Sequence, residues 1–218
     1  MNAVRAELDK LRTLPITALS FAGTMLVAVL ITIAQVKAGQ VVDVVPYVQV
    51  GLVLIGVLPS THEYAGRQLR TSLIAVPRRV RLVGAKTIAA LIAGVLAAVL
   101  SLGATAITQY AFGNTLDVRG LAGAGTYLVL IALLAHAAGL LLHHLIPALV
   151  SMLCLVVLIS PVVAAATDAA RWLPDRAAAQ LYNPTDAVLT ATTGALISVV
   201  WILVVGALGA ARFTRTDA

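Results

Sequence analysis

Residues 60–86 read STHEYAGRQLRTSLIAVPRRVRLVGAK and separate two long apolar segments. This stretch holds six of the fifteen Lys and Arg residues of the chain, but only one acidic residue, Glu63. The neighbouring residues 44–59 and 87–111 contain no charged side chain. A basic stretch between two apolar segments is typical of a cytoplasmic loop that joins two membrane-spanning helices.

The composition of the whole chain also indicates an integral membrane protein. Hydrophobic residues make up 61% and charged residues 11% of its 218 residues, whereas about 25% of the residues in a soluble domain are charged. The mean hydropathy is +1.00. Cytoplasmic loops explain the net charge of +6, so no nucleic-acid partner is expected.

Six apolar segments approach the length of about 20 residues that a bilayer-spanning helix needs. They lie at about residues 15–36, 42–59, 87–111, 121–142, 145–166 and 187–211. With both ends in the cytoplasm, eleven Lys and Arg residues lie inside and four outside, which is the favoured orientation. The sequence therefore predicts an all-α integral membrane protein with a single transmembrane domain over residues 1–218.

The N-terminal residues 1–14 mix charged residues with apolar ones at helical spacing. Val4, Leu8 and Leu11 fall on one face of a helix. This pattern predicts a short helix that lies in the membrane interface. A disordered basic terminus is the alternative, because isolated helices of this length are marginal in water.

The basic stretch carries a helix signal of its own. Ser60 and Glu63 have the spacing of a capping box, in which the two side chains satisfy backbone N–H groups at a helix start. Pro77 disfavours helical structure at the residue before it. A helix is therefore expected at about residues 61–75, along the inner face of the membrane. It would bind anionic lipid or dock into a groove on a soluble partner.

No enzyme site is indicated by the sequence. His62 and Glu63 begin like the HExxH zinc motif, but Gly66 stands where the second histidine is needed. The run from Gly84 to Thr87 ends like a phosphate-binding loop but lacks the earlier glycine. No metal site is predicted. His136 lies at membrane depth in the fourth segment, which makes it a candidate polar site.

Residues 63–79, EYAGRQLRTSLIAVPRR, resemble the loop after the second span in permeases of ATP-binding-cassette (ABC) transporters of the type-2 exporter class. Residues 6–13, AELDKLRT, are similar to the amphipathic opening helix of that family. Residues 171–177, RWLPDRA, are similar to the short outer helices between its fifth and sixth spans. The resemblance departs at Arg67, where related loops often have a second glycine.

The resemblance implies a half-transporter in the cell membrane, in particular a bacterial inner membrane. Two copies, or one copy with a related chain, would enclose a path. Residues 60–81 would contain a coupling helix seated on a separate ATPase subunit, present in two copies. ATP and Mg would bind that partner, so this chain would hold no cofactor and would not itself be an enzyme. The implied coupling residues are Glu63, Tyr64, Gly66, Arg67 and Arg70.

Three polar residues within the apolar segments are candidates for lining a translocation path, namely Gln49, Thr105 and Thr108. Two other functions stay open at this point. A secondary transporter or channel acting alone would use the six spans and His136. A membrane anchor or immunity protein would recruit a soluble partner through the basic stretch. The transported substrate is not indicated by any residue.

Overall fold

The computed structural model describes residues 3–65, 79–115, 117–184 and 188–215. Within these ranges the chain is helical and contains no strand, as the sequence predicted. The longer helices are α1 (Ala3–Thr13), α2 (Pro15–Lys37), α3 (Val45–Ala65), α4 (Arg79–Ala111) and α5 (Val118–Leu142). They are followed by α6 (Leu145–Leu153), a π-helical turn (Cys154–Ile159), α7 (Ser160–Ala166), a 3-10 helix (Asp168–Trp172), α8 (Pro174–Ala179) and α9 (Ala191–Arg215).

In the part of the chain that the structure describes, five helical segments are long and apolar enough to cross a membrane. They are Pro15–Lys37, Val80–Ala111, Val118–Leu142, Leu145–Ala166 and Ala191–Arg212. The second predicted span corresponds to α3, whose apolar part, Val45–Thr61, is shorter. Large apolar side chains are exposed along these helices, among them Leu19, Ile107 and Leu196. Such outward-facing apolar surfaces are the ones that lipid tails cover in a membrane.

Helix α3 lies at the centre of the bundle and packs against α1, α2, α4, α5 and α6. Its residues Val48, Leu52 and Val57 are completely buried. Small residues allow the close contacts, since a Cβ atom on Gly56 would collide with the backbone carbonyl of Ala132 on α5. Because apolar burial gives little drive for association in lipid, such close packing is what holds membrane helices together.

The predicted helix start at Ser60 is wrong. Helix α3 contains Pro59 and continues through Ser60 to Ala65. The Ser60 hydroxyl is buried and donates a 2.8 Å hydrogen bond to the carbonyl of Val57, three residues earlier in the same helix. A serine that bonds back into its own helix cannot act as an N-cap. The predicted residues Gly66, Arg67 and Arg70 lie outside the described residues.

The fifth predicted span is interrupted but not broken. The π-helical turn Cys154–Ile159 joins α6 to α7, and Pro161 lies in the first turn of α7. Proline has no N–H and its ring crowds the carbonyl four residues earlier. A widened turn before the proline relieves that crowding, and such turns are a common cause of irregularity in long helices.

Candidate functional site

Helix α3 ends at Ala65 and α4 begins at Arg79, both within the basic stretch, and these two helices pack against each other. About two turns from both helix ends, the Lys86 ammonium of α4 donates a 3.1 Å hydrogen bond to the carbonyl of Pro59 on α3. Lys86 is completely buried. A charged side chain therefore joins α3 and α4 close to the end of α3 and the start of α4.

Lys86 also pairs with an acid from the N-terminal helix. Its Nζ lies 3.2 Å from Oε2 of Glu7 on α1, and Glu7 is 2% exposed. The other carboxylate oxygen, Oε1, lies 2.7 Å from Nζ of Lys10, one turn further along α1. Lysine and glutamate are almost never this buried unless they are paired. We call Glu7, Lys10, Lys86 and the Pro59 carbonyl the basal ion cluster.

The basal ion cluster ties α1 to the bundle. Helix α1 forms as the sequence predicted, and it contacts α2, α3 and α4. Its apolar face is packed inward, with Leu11 buried. Removing one partner of a buried ion pair strands the other charge in a medium that solvates it poorly. The cluster therefore holds three helices in one arrangement.

A second polar contact continues from the cluster into the bundle. Thr87 Oγ1 on α4 lies 3.2 Å from Nε2 of His136 on α5, and His136 is 2% exposed. Nδ1 forms no hydrogen bond of good geometry with a described residue, although the ring lies beside the backbone of Gly56. Among the described residues, no group of three metal-ligating side chains lies close enough to hold a metal ion.

The three candidate path residues are not brought together. Gln49 is 9% exposed and accepts a 2.6 Å hydrogen bond from the Tyr127 hydroxyl. Thr105 and Thr108 donate to backbone carbonyls one turn earlier in α4, at 3.0 and 2.8 Å. Of the three, only Thr105 lines the cavity described next.

A cavity of about 590 Å³ lies at the end of the bundle remote from the basic stretch. Its walls come from the connections before α3 and α5, from α4 and the start of α5, and from the residues that follow α8. They include Thr105, Gln109, Asp43, Asp117 and Tyr182. Burial raises the pKa of Tyr182 to about 12, with Asp43 adding to the effect. The Tyr182 hydroxyl is therefore uncharged at neutral pH. The walls of the cavity include both polar and apolar side chains, as those of small-molecule sites do.

Two short helices, the 3-10 helix and α8, lie between α7 and α9. They overlap residues 171–177, for which the family resemblance implies short helices. Asp175 of α8 is 4% exposed and accepts a 2.6 Å hydrogen bond from the Ser160 hydroxyl of α7. Ser198 of α9 donates to the Pro174 carbonyl at 2.6 Å. Burial raises the pKa of Asp175, while the bond from Ser160 opposes that rise.

The sequence interpretation missed Glu7, Lys86 and Asp175. A signal existed for the first two. Glu7 lies three residues after Val4 and four before Leu11, which places it on the apolar face of α1. Lys86 lies four residues after Leu82 and three before Ala89, which are both buried. A charged residue on each of two apolar faces indicates a pair, but the positive-inside rule had already explained the lysine.

No protein-family profile matches this chain, and no curated protein matches it at a significant level. Its function is therefore inferred from its own residues and their geometry.

Proposed function

We propose that this chain is the membrane-spanning permease subunit of an ATP-driven ABC exporter, and that residues 60–81 couple it to a separate ATPase subunit. One observation carries the proposal. The central helix of the bundle, α3, runs without a break into the basic stretch and ends only at Ala65. Glu63 and Tyr64 are therefore in the last turn of the helix that contacts most of the bundle.

This continuity supports a direct mechanical role for the end of α3. A helix held by internal hydrogen bonds moves largely as a unit. Force applied by a soluble partner at Glu63 would reach Val57 and Leu52 in the core through a single helix. It would pass Pro59, whose carbonyl is held by the Lys86 ammonium. Arg67 and Arg70, which follow in the basic stretch, are proposed as ion-pair donors to the ATPase, together with Gly66 as a close-contact position.

The proposed topology has six spans with both ends in the cytoplasm of a bacterial inner membrane. The five long apolar helices and the apolar part of α3 supply the spans. Helix α1 would lie in the inner interface, where its charged face meets headgroups and anionic lipid. A second permease chain, identical or related, would complete the path, and two ATPase subunits would bind ATP and Mg.

The cavity beside Thr105 is proposed as the outer part of the translocation path. In the proposed topology it opens on the side opposite to the ATPase. Its volume is within the range of about 300–1,000 Å³ that small-molecule sites occupy. Gln49 and Thr108 are proposed to face the path only when the helices rearrange, because both are hydrogen-bonded within the chain.

The test is purification of the chain from its native membrane in mild detergent. An ATPase with a phosphate-binding loop is expected to co-purify, and Glu63→Ala and Arg70→Ala are expected to weaken its association or its ATPase activity. Arg119→Ala, an exposed residue at the other end of the bundle, is the matched control. The proposal fails if no ATPase accompanies the unaltered chain and Glu63→Ala has no more effect than the control.

A second candidate is an ion-coupled transporter or channel that acts alone. The contact between the buried His136 and Thr87, next in the chain to Lys86, favours it, because ionisable residues at membrane depth often serve ion or proton movement. Transport by the purified chain in vesicles without ATP, abolished in His136→Leu but retained in His144→Leu, would select this candidate over the exporter.

A further inference from the structure

The contact between Pro59 and Lys86 lies at nearly the same distance from the end of α3 as from the start of α4. Pro59 lies six residues before the end of α3 at Ala65, and Lys86 lies seven residues after the start of α4 at Arg79. At about 1.5 Å per residue, the bond between them is about 10 Å from each end. It therefore sets the separation between the end of α3 at Ala65 and the start of α4 at Arg79.

The ion pair adds α1 to this junction. Lys86 lies 3.2 Å from Glu7 and 3.1 Å from the Pro59 carbonyl, so a single ammonium joins α1, α3 and α4. Neither contact is local in sequence, because Lys86 is 79 residues from Glu7 and 27 from Pro59. A displacement of any one helix must therefore break a buried charged contact or carry the other two helices with it.

Stability alone does not account for such a pair. Replacing a buried ion pair with apolar residues of similar volume is often neutral or stabilising, since desolvation offsets most of the attraction. What a charged, directional contact adds over an apolar one is a defined position. The pair is also at the junction where the proposed coupling needs a defined position.

We infer that Glu7 and Lys86 are positioning residues for ATPase coupling, and that they join α1, the end of α3 and the start of α4 into one unit that carries the basic stretch. The coupling role rests on the proposed function. The fixed position of α1 against α4 does not, and it is measurable in the chain alone.

The first measurement is the distance between α1 and α4. Spin labels are placed at Asp9→Cys and Val80→Cys, both exposed, in a Cys154→Ser background in lipid nanodiscs. The unaltered pair should give one narrow distance distribution. The double variant Glu7→Gln, Lys86→Met removes both charges without stranding either, and should broaden the distribution at least twofold. Lys37→Met, an exposed lysine at the other end of α2, should leave it narrow.

The second measurement is the ATPase rate of the complex with its partner. The double variant should change kcat about fivefold, within the range that residues remote from a site produce, while KM for ATP and the unfolding temperature of the chain stay close to the unaltered values. An unchanged distance distribution overturns the inference, and so does an unchanged kcat despite a broadened distribution. If no ATPase binds the unaltered chain, the proposed function fails, and the distance measurement alone decides whether the ion pair positions α1.

Discussion

The Tyr127 hydroxyl of α5 donates a 2.6 Å hydrogen bond to Oε1 of Gln49 on α3, and both side chains are buried. This bond joins the two most extensively packed helices of the bundle. It also satisfies a polar group that would be costly to leave alone in an apolar interior. The centroids of the Tyr127 and Tyr182 rings are 5.1 Å apart. Tyr127 therefore also packs against a residue that lines the cavity.

Tyr127→Phe should destabilise the chain, because it leaves the Gln49 carbonyl buried without its donor. The expected loss is about 0.6–2 kcal/mol in the free energy of unfolding, the lower figure being the average for hydrogen bonds between membrane helices. Unfolding in mixed micelles by denaturing detergent measures it. Tyr110→Phe, on a side chain that is 75% exposed, is the control. Equal effects of the two substitutions would contradict the prediction.

The members of the basal ion cluster should differ in cost when they are removed singly. Glu7→Gln removes the carboxylate that contacts both Lys86 and Lys10, and it should cost the most, about 3–5 kcal/mol of unfolding free energy. Lys86→Met should cost less, since Glu7 keeps its 2.7 Å contact with Lys10. Lys10→Met should cost less than about 1 kcal/mol, because Lys10 is partly exposed. Unfolding curves of the three variants test this order, and a Lys10→Met effect as large as that of Glu7→Gln would refute it.

Gly56→Ala should loosen the contact between α3 and α5. A Cβ at this position would collide with the backbone carbonyl of Ala132, which cannot rotate away. Overpacking of this kind costs about 1–3 kcal/mol. Gly23→Ala is the matched control, because a Cβ there meets no atom within 4 Å, and it should be neutral or stabilising by about 0.5–1 kcal/mol. The comparison needs only the two unfolding midpoints.

Asp175 should make stability fall as the pH rises. Burial raises its pKa in the folded chain above the usual 3.8, so the folded state binds the proton more tightly than the unfolded state does. The contribution of this group is therefore most favourable below pH 3.8 and is lost as the pH rises through the raised pKa. Asp175→Asn keeps an acceptor for Ser160 but does not titrate.

The unfolding free energies of the unaltered chain and of Asp175→Asn, measured side by side from pH 3 to 8, check this prediction. The variant should gain stability relative to the unaltered chain as the pH rises, and the gain should level off above the raised pKa. A constant difference over the whole range would show that Asp175 does not titrate differently in the folded state.

The helices were predictable because their signals are local. Long apolar runs predicted the segments now seen as α2, α4, α5 and α9, and the i, i+4, i+7 spacing of Val4, Leu8 and Leu11 predicted α1. The prediction at Ser60 was wrong for a physical reason. A capping box needs a non-helical residue at its start, and whether α3 stops there depends on its packing. Ser60 packs directly against Gly139 of α5, and this burial favours continuation of the helix.

The candidate site was less predictable, since its residues are far apart in the chain. The sequence by itself determined an all-helical chain with apolar segments of membrane-spanning length and a concentrated basic stretch, because apolar length and charge are properties of consecutive residues. Only the tertiary structure decided that Lys86 meets Glu7 and Pro59, and that Gln49 meets Tyr127. Those pairings depend on which helix faces come together, and that is set by close contacts at small residues such as Gly56 and Gly139 rather than by any local pattern.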